Sequence, residues 1–168
     1  IFGGVSGFVI ASTNNIMAPN AGIDKSNSQN QLILYPHNPY LAAEQIKRKL
    51  FLDNGIHVGV IIVDSRLMPA RVGTIGIAIA CSGIEPVLDR RGTKDLDGNV
   101  LKVTFQAIAD NLASIANHKM GEGDEALPLV IIRDSGTKMT DRKISPKEMT
   151  VSHDECVYVR GLKNNNTI

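Results

Sequence analysis

The chain has no tryptophan, an aromatic share of 4% and two cysteines. Each scarcity excludes something. Stacking platforms for nucleic acid need several exposed rings, so no nucleic-acid partner is expected. Cys81 and Cys156 form neither a CxxC pair nor a disulfide framework. Cys81 lies in an apolar run and reads as a buried small hydrophobe. This cysteine usage suits a reducing cytoplasm, with a single Cys81–Cys156 bridge as the alternative. No apolar run approaches the roughly 20 residues that cross a bilayer, so no membrane partner is expected. Charge of one sign is also missing: 18 basic residues face 17 acidic ones, a net charge of +1, which implies no field for polyanions. A Walker loop, a dinucleotide fingerprint and a His-x-Glu-x-His pattern are absent. The four histidines (His37, His57, His118, His153) show no ligand spacing and read as surface or turn residues.

What remains is a chain of 168 residues with a 43% apolar share, enough for one domain with a core of its own. It begins at Ile1 within an apolar pattern and reads as an internal piece of a longer polypeptide. Gly7–Ala11 reads as a short strand, Asn14–Asn30 as a polar loop and Gln31–Tyr35 as a strand. Asn38-Pro39 predicts a helix start, Asn as cap and Pro at the first position. Leu41, Ala42, Ile46, Leu50 and Phe51 keep helical spacing, and Gly55 suits the stop. Val58–Val63 reads as a strand buried on both faces, with Asp64 and Ser65 at its C-terminal end, where open α/β sheets place ligands. Thr74–Cys81 is a second long apolar run. Glu85–Gly98 is polar and rich in turn signals. Leu101, Phe105, Ile108, Leu112 and Ile115 predict an amphipathic helix ending near Met120-Gly121. Leu127–Ile132 reads as a further strand, and the closing Asn164-Asn-Asn-Thr as a frayed end. The class is α+β (mixed α/β), with a mixed sheet and few helices.

Acidic and hydroxyl side chains recur in turn contexts: Asp24 in Gly22-Ile-Asp-Lys-Ser-Asn27, the Asp64-Ser65 pair, and Glu122 and Asp124 in Met120-Gly-Glu-Gly-Asp-Glu125. Asp and Ser offer hard oxygen ligands of the kind that Mg²⁺ takes, together with phosphate oxygens. Two carboxylates about 4 Å apart repel by about 1 kcal/mol in water and about 4 kcal/mol near a protein surface. Converging carboxylates therefore call for a cation. The plainer reading stands beside this: Asp at a strand end is commonly a turn former, and Gly-Glu-Gly-Asp-Glu a solvated loop.

Five segments occur in one order: Asn20-Ala-Gly-Ile-Asp-Lys-Ser-Asn27, Val60-Ile-Ile-Val-Asp64-Ser65, Arg71-Val-Gly-Thr-Ile-Gly-Ile-Ala-Ile79, Ala107-Ile-Ala-Asp110 and Met120-Gly-Glu-Gly-Asp124. In this the chain resembles the coenzyme F-420-0:L-glutamate ligases, the gamma-glutamyl ligases of the deazaflavin pathway. The resemblance runs from about Gly7 to about Arg133. It implies a family-specific gamma-glutamyl ligase fold, with residues 1–134 as a core lacking its N-terminal segment and residues 135–168 as a C-terminal extension. It implies GTP-dependent addition of L-glutamate to a deazaflavin precursor through a gamma-linked amide, by way of an acyl phosphate. It further implies Mg²⁺ or Mn²⁺ at two sites, K⁺, and a homodimer. Carried over by motif, Asp24 and Asp64 would ligate one divalent ion, and Ser65 and Glu122 a second. Asn27, Met120, Gly121, Gly123 and Asp124 would contact the nucleotide. The family often has Phe-Gly-Arg after the Asp-Ser pair, where this chain has Arg66-Leu67-Met68. The competing readings are a non-catalytic deazaflavin- or nucleotide-binding protein and a dimerisation fragment.

Overall fold

A computed structural model describes residues 3–5, 8–13 and 16–164. Gly7 and the closing residues from Asn165 on lie outside them. Strands β1 (Gly3–Val5), β2 (Phe8–Thr13) and β3 (Ile16–Pro19) form an antiparallel meander. The polar loop expected up to Asn30 therefore contains a strand, and a short 3-10 turn at Asn20–Gly22 follows it. The expected strand at Gln31–Tyr35 is reduced to one bridge, Asp24 to Ile33. The turn residues between them use backbone conformations that a ladder cannot: Asn27, Gln29 and Asn30 have φ of 50°, 51° and 66°.

Helix α1 (Pro39–Asn54) starts and stops as its sequence predicts. The Asn38 side chain accepts from the Leu41 N–H at 3.0 Å, and Gly55, at φ 68°, donates its N–H to Phe51 O at 2.8 Å. Strands β4 (Val60–Leu67) and β5 (Thr74–Ser82) pair antiparallel, with a bulge beside Ile62/Val63. Two expectations change here. Asp64 and Ser65 lie inside β4 rather than at its end, and β4 is partly exposed along its whole length rather than covered on both faces. The cause is the hairpin: two antiparallel strands carry no crossover helices to bury both sides.

Strands β6 (Val87–Asp89) and β7 (Phe105–Ala107) form a third small ladder, and α2 (Ile108–Met120) follows at once. The expected helix thus starts seven residues later than Leu101. Val103 and Thr104 are β-branched, which favours extended backbone, and the Arg91 guanidinium stacks over the Phe105 ring at 4.4 Å. Leu127–Ile132 forms no strand. Pro128 removes a ladder donor, and Leu129 and Ile131 stay 70% and 67% exposed. Helix α3 (Val157–Asn164) closes the described chain. The α+β class holds, but all ladders among the described residues are antiparallel and lie in three separate sheets, not in one mixed sheet.

The core forms where α2 meets the hairpin. Ala109 and Ala113 pack with Ala78, Cys81, Ile84 and Ile144. Small residues allow a close approach, and Gly76 is where it is closest: a Cβ there would overlap the Ala113 carbonyl and Asn117. Ser114 donates to Gly76 O at 2.8 Å, and Asp110 accepts from the Ala78 N–H at 2.9 Å beside the bulge. Residues 138–149 close over this seam: Glu85 N–H reaches Lys138 O, Thr140 N–H reaches Gly83 O, and Arg142 bridges Glu85 and Glu148. Cys81 is buried and Cys156 partly so, and both are free thiols. Burial pushes the Cys81 thiol up to about 12.

Candidate functional site

Neighbouring side chains on a strand leave opposite faces. Asp64 and Ser65 therefore look in opposite directions from β4, and their contacts show where. Ser65 is paired with Gly76 across the hairpin, on the side that α2 covers. There its hydroxyl donates to Glu122 Oε2 at 3.1 Å, while Asn117 Nδ2 donates to Glu122 Oε1 at 2.8 Å. Glu122 stands in the loop just after α2, which stops at Gly121. A groove of about 380 Å³ runs beside it, lined by Thr74, Gly76, Ser114, Asn117 and Glu122.

On the other face, Asp64 accepts a short hydrogen bond from the Tyr35 hydroxyl. Burial, and then this bond to a carboxylate, raise the Tyr35 phenol well above its ordinary value, so it stays a donor. The Tyr35 ring lies over Gly22, where any Cβ would collide with it, and Gly22 also has φ 76°. A larger residue there would be strained on both counts. The same turn carries Asp24, which is exposed. Its Oδ1 accepts from the N–H groups of Lys25 and Ser26 at 2.6 and 2.8 Å, and its Oδ2 from the Ser26 hydroxyl at 2.5 Å. The Ser26 hydroxyl, then the Ser26 N–H, hold the Asp24 carboxyl below the usual carboxylate range.

The turn also reaches the loop after α2, since Asn27 Nδ2 donates to Gly123 O at 2.9 Å. The three motif loops thus meet around β4. Ser65 joins Glu122, Asn27 joins Gly123, and Tyr35 links the Gly22 turn to Asp64. Asp24 and Asp64 each bond elsewhere. Among the described residues no group of three or more His, Cys, Asp or Glu is placed to hold a metal ion. Met120 ends α2, Gly121 follows with φ 79°, and Gly123 donates its N–H to the Glu125 carboxylate at 2.8 Å. Asp124 is exposed in the same loop. Three histidines are exposed as expected, whereas His153 is partly buried against the Ser12 hydroxyl at 3.0 Å.

Sequence reasoning missed Tyr35 and Asn117. The aromatic scarcity was a usable signal for Tyr35, one of only three tyrosines. Asn117 sits one helical turn before Gly121, where its amide reaches the loop, but helical spacing alone does not mark it.

No helix among the described residues is long and apolar enough to cross a membrane. Residues 1–134 match the family described as F420-0:Gamma-glutamyl ligase. The chain is 45% identical over 149 residues to the coenzyme F420:L-glutamate ligase of Methanocaldococcus jannaschii, covering 86% of this chain and 60% of that protein. It is 40% identical over 152 residues to the enzyme of the same name from Methanococcus maripaludis, covering 90% and 60%. With that of Methanosarcina mazei it shares 46% identity over 115 residues, covering 68% and 45%. The chain thus spans about 60% of the length of the first of these relatives. With most of its length matched and its three motif loops brought together, the chain belongs to the F420-0:gamma-glutamyl ligase family.

Proposed function

We propose that this chain carries the metal- and nucleotide-binding part of a GTP-dependent ligase, one that adds L-glutamate to a coenzyme F420 precursor through a gamma-linked amide. The observation that carries the reading is the meeting of the three loops at β4, with Ser65 on Glu122 and Asn27 on Gly123. Activation precedes amide formation: an acceptor carboxylate oxygen attacks the γ-phosphorus, GDP leaves, and the glutamate nitrogen displaces phosphate from the acyl carbon. Phosphoryl transfer needs positioning and charge neutralisation more than a protein nucleophile.

The donor set fits a hard divalent cation, since it is oxygen throughout. Asp24 and Asp64 would hold one ion, Ser65 and Glu122 a second. Because no carboxylate trio is assembled among the described residues, phosphate oxygens and water would complete each shell, as is common for Mg²⁺. Such an ion, when bound, neutralises charge on the transferring phosphoryl group. Tyr35 orients Asp64, and Ser26 keeps Asp24 ionised. Asn27 and the Met120–Asp124 loop would contact the nucleotide, whose phosphate would compete with Glu125 for the Gly123 N–H. The homodimer, K⁺ and the division into a core and a C-terminal extension belong to the same proposal.

The test is the full-length protein with deazaflavin acceptor, L-glutamate, GTP, K⁺ and Mn²⁺, read by mass spectrometry. Glutamylated product is expected, and its absence rejects the reading. Asp64→Asn should lose at least about 100-fold in turnover, in line with the loss of a positioned charge, while keeping its circular dichroism. Near-normal turnover would remove Asp64 from the site.

A further inference from the structure

The face of β4 that carries Asp64 also carries Arg66, two residues on and about 7 Å away along the strand. Past Asp64, at Arg66, the strand borders a cavity of about 1250 Å³. Strands β2 and β3, the start of α1, β5 and α3 contribute to its wall, with apolar side chains such as Ile16, Met17, Ile77, Ile79 and Val159. Arg66 lines this cavity. Its Nε is buried and has no hydrogen-bond partner among the described residues, and its terminal Nη2 meets the Met68 sulfur at 3.4 Å. A thioether is a weak acceptor. Arg71 stands on the same wall. The lining carboxylate, Asp110, is engaged by the Ala78 N–H. Of the two lining histidines, His153 is bonded to Ser12, and His37 is exposed. An apolar chamber thus holds a guanidinium with an unused buried donor. Leaving such a donor unmet is costly, and an arginine in this state is matched by a carboxylate or phosphate.

We propose that the cavity is the acceptor site, and that Arg66 binds a carboxylate or phosphate carried by an acceptor whose apolar body lies against the apolar walls. This rests on the ligase reading. The nucleotide loops, Asn27 and Met120–Asp124, meet β4 at Ser65 through Glu122, one residue before Arg66, so nucleotide and acceptor would approach the same stretch of strand. An acceptor anchored at Arg66 would reach beyond the cavity, whose lining does not include Asp64, along the strand toward the Asp64–Ser65 pair, where its reacting carboxylate would meet the γ-phosphate. The cavity size favours the acceptor over free glutamate: 1250 Å³ exceeds the usual small-molecule range of about 300–1,000 Å³, far more than a single amino acid fills.

The experiment compares Arg66→Met and Arg66→Lys with the unaltered full-length protein. Arg66→Met should raise the KM for the acceptor at least about tenfold, as expected for a charge-assisted anion contact, and leave the KM for GTP and for L-glutamate unchanged. Arg66→Lys should recover part of the loss. Thermal stability should be unchanged or higher in Arg66→Met, because no carboxylate among the described residues pairs with Arg66. An unchanged acceptor KM overturns the proposal, as does a rise confined to GTP or to L-glutamate, or a drop in stability that Lys restores without restoring the acceptor KM. If the unaltered protein makes no product, the Arg66 Nε–H resonance is followed by NMR on adding the acceptor or phenyl phosphate. A saturable shift then upholds the anion site while the ligase reading falls, and no shift overturns both.

Discussion

Gly76→Ala is the sharpest test of how the site is held. Gly76 faces Ser65 across the hairpin and lies under α2. An added Cβ would sit 2.9 Å from the Ala113 carbonyl carbon, with the Ala113 oxygen and Asn117 Cβ nearer still. Ordinary contact starts at 3.4 Å, so α2 must recede by at least about half an ångström. The obstacle is helix backbone, which cannot swing aside. Overpacking of this kind costs about 1–3 kcal/mol. At about 2–4 °C per kcal/mol for a chain of this size, the melting temperature should fall by about 2–12 °C. The displacement also carries Asn117 and Glu122 away from Ser65, so Mn²⁺ binding should weaken more than global stability explains. Thermal and urea unfolding, with calorimetric titration of Mn²⁺, measure both effects. Gly161→Ala is the control: nothing among the described residues lies within 4 Å of its added Cβ, and it sits in helix α3, so it should be neutral or stabilising. An unfolding midpoint for Gly76→Ala equal to that of the unaltered protein would refute the close seam and the positioning argument built on it.

Two further outcomes follow from named contacts. Tyr35→Phe keeps the ring over Gly22 but removes the donor to Asp64; the fold should persist and Mn²⁺ affinity should drop about 10–100-fold, the usual cost of losing an outer-shell partner, with unchanged affinity refuting the orienting role. The Glu85 carboxyl is held below its ordinary value of 4.5, chiefly by the Arg142 side chain. Its folded pKa lies below the unfolded one, so this contribution is present above pH 4.5 and is lost as the pH falls through the folded value. Urea midpoints should therefore decline below about pH 4.5, and Glu85→Gln should flatten that decline; an identical acid slope in the variant would dismiss the pair as a stabiliser.

The helix ends were readable because their signals are local: Asn38, Pro39 and Gly55 act within one turn of themselves. The motif loops were readable as an ordered set, and three contacts join them near β4: Ser65 to Glu122, Asn27 to Gly123 and Tyr35 to Asp64. What escaped was set by partners distant in sequence. Val58–Val63 has the apolar content of a doubly covered strand, but a hairpin with Thr74–Ser82 gives it an antiparallel neighbour and leaves it partly exposed. Phe105 fitted a helical period, but pairing with Val87–Asp89 and stacking by Arg91 drew it into a ladder. Leu127–Ile132 has strand composition and finds no ladder among the described residues. Asp64 and Ser65 were legible as a neighbouring carboxylate and hydroxyl, but their separation onto two faces follows only once both are placed inside a strand.

That separation has a consequence for how the gene can vary. Between Val60 and Leu67 each residue's number decides which way it looks, so losing or gaining a single codon there would exchange the carboxylate and the hydroxyl while leaving the composition almost intact. The bend at 68–73, with Ala70 and Gly73 at φ of 56° and 93°, carries no such parity. Length changes in descendants of this sequence belong there, and a frame-preserving deletion scan would find silence in the bend and loss on either side of it.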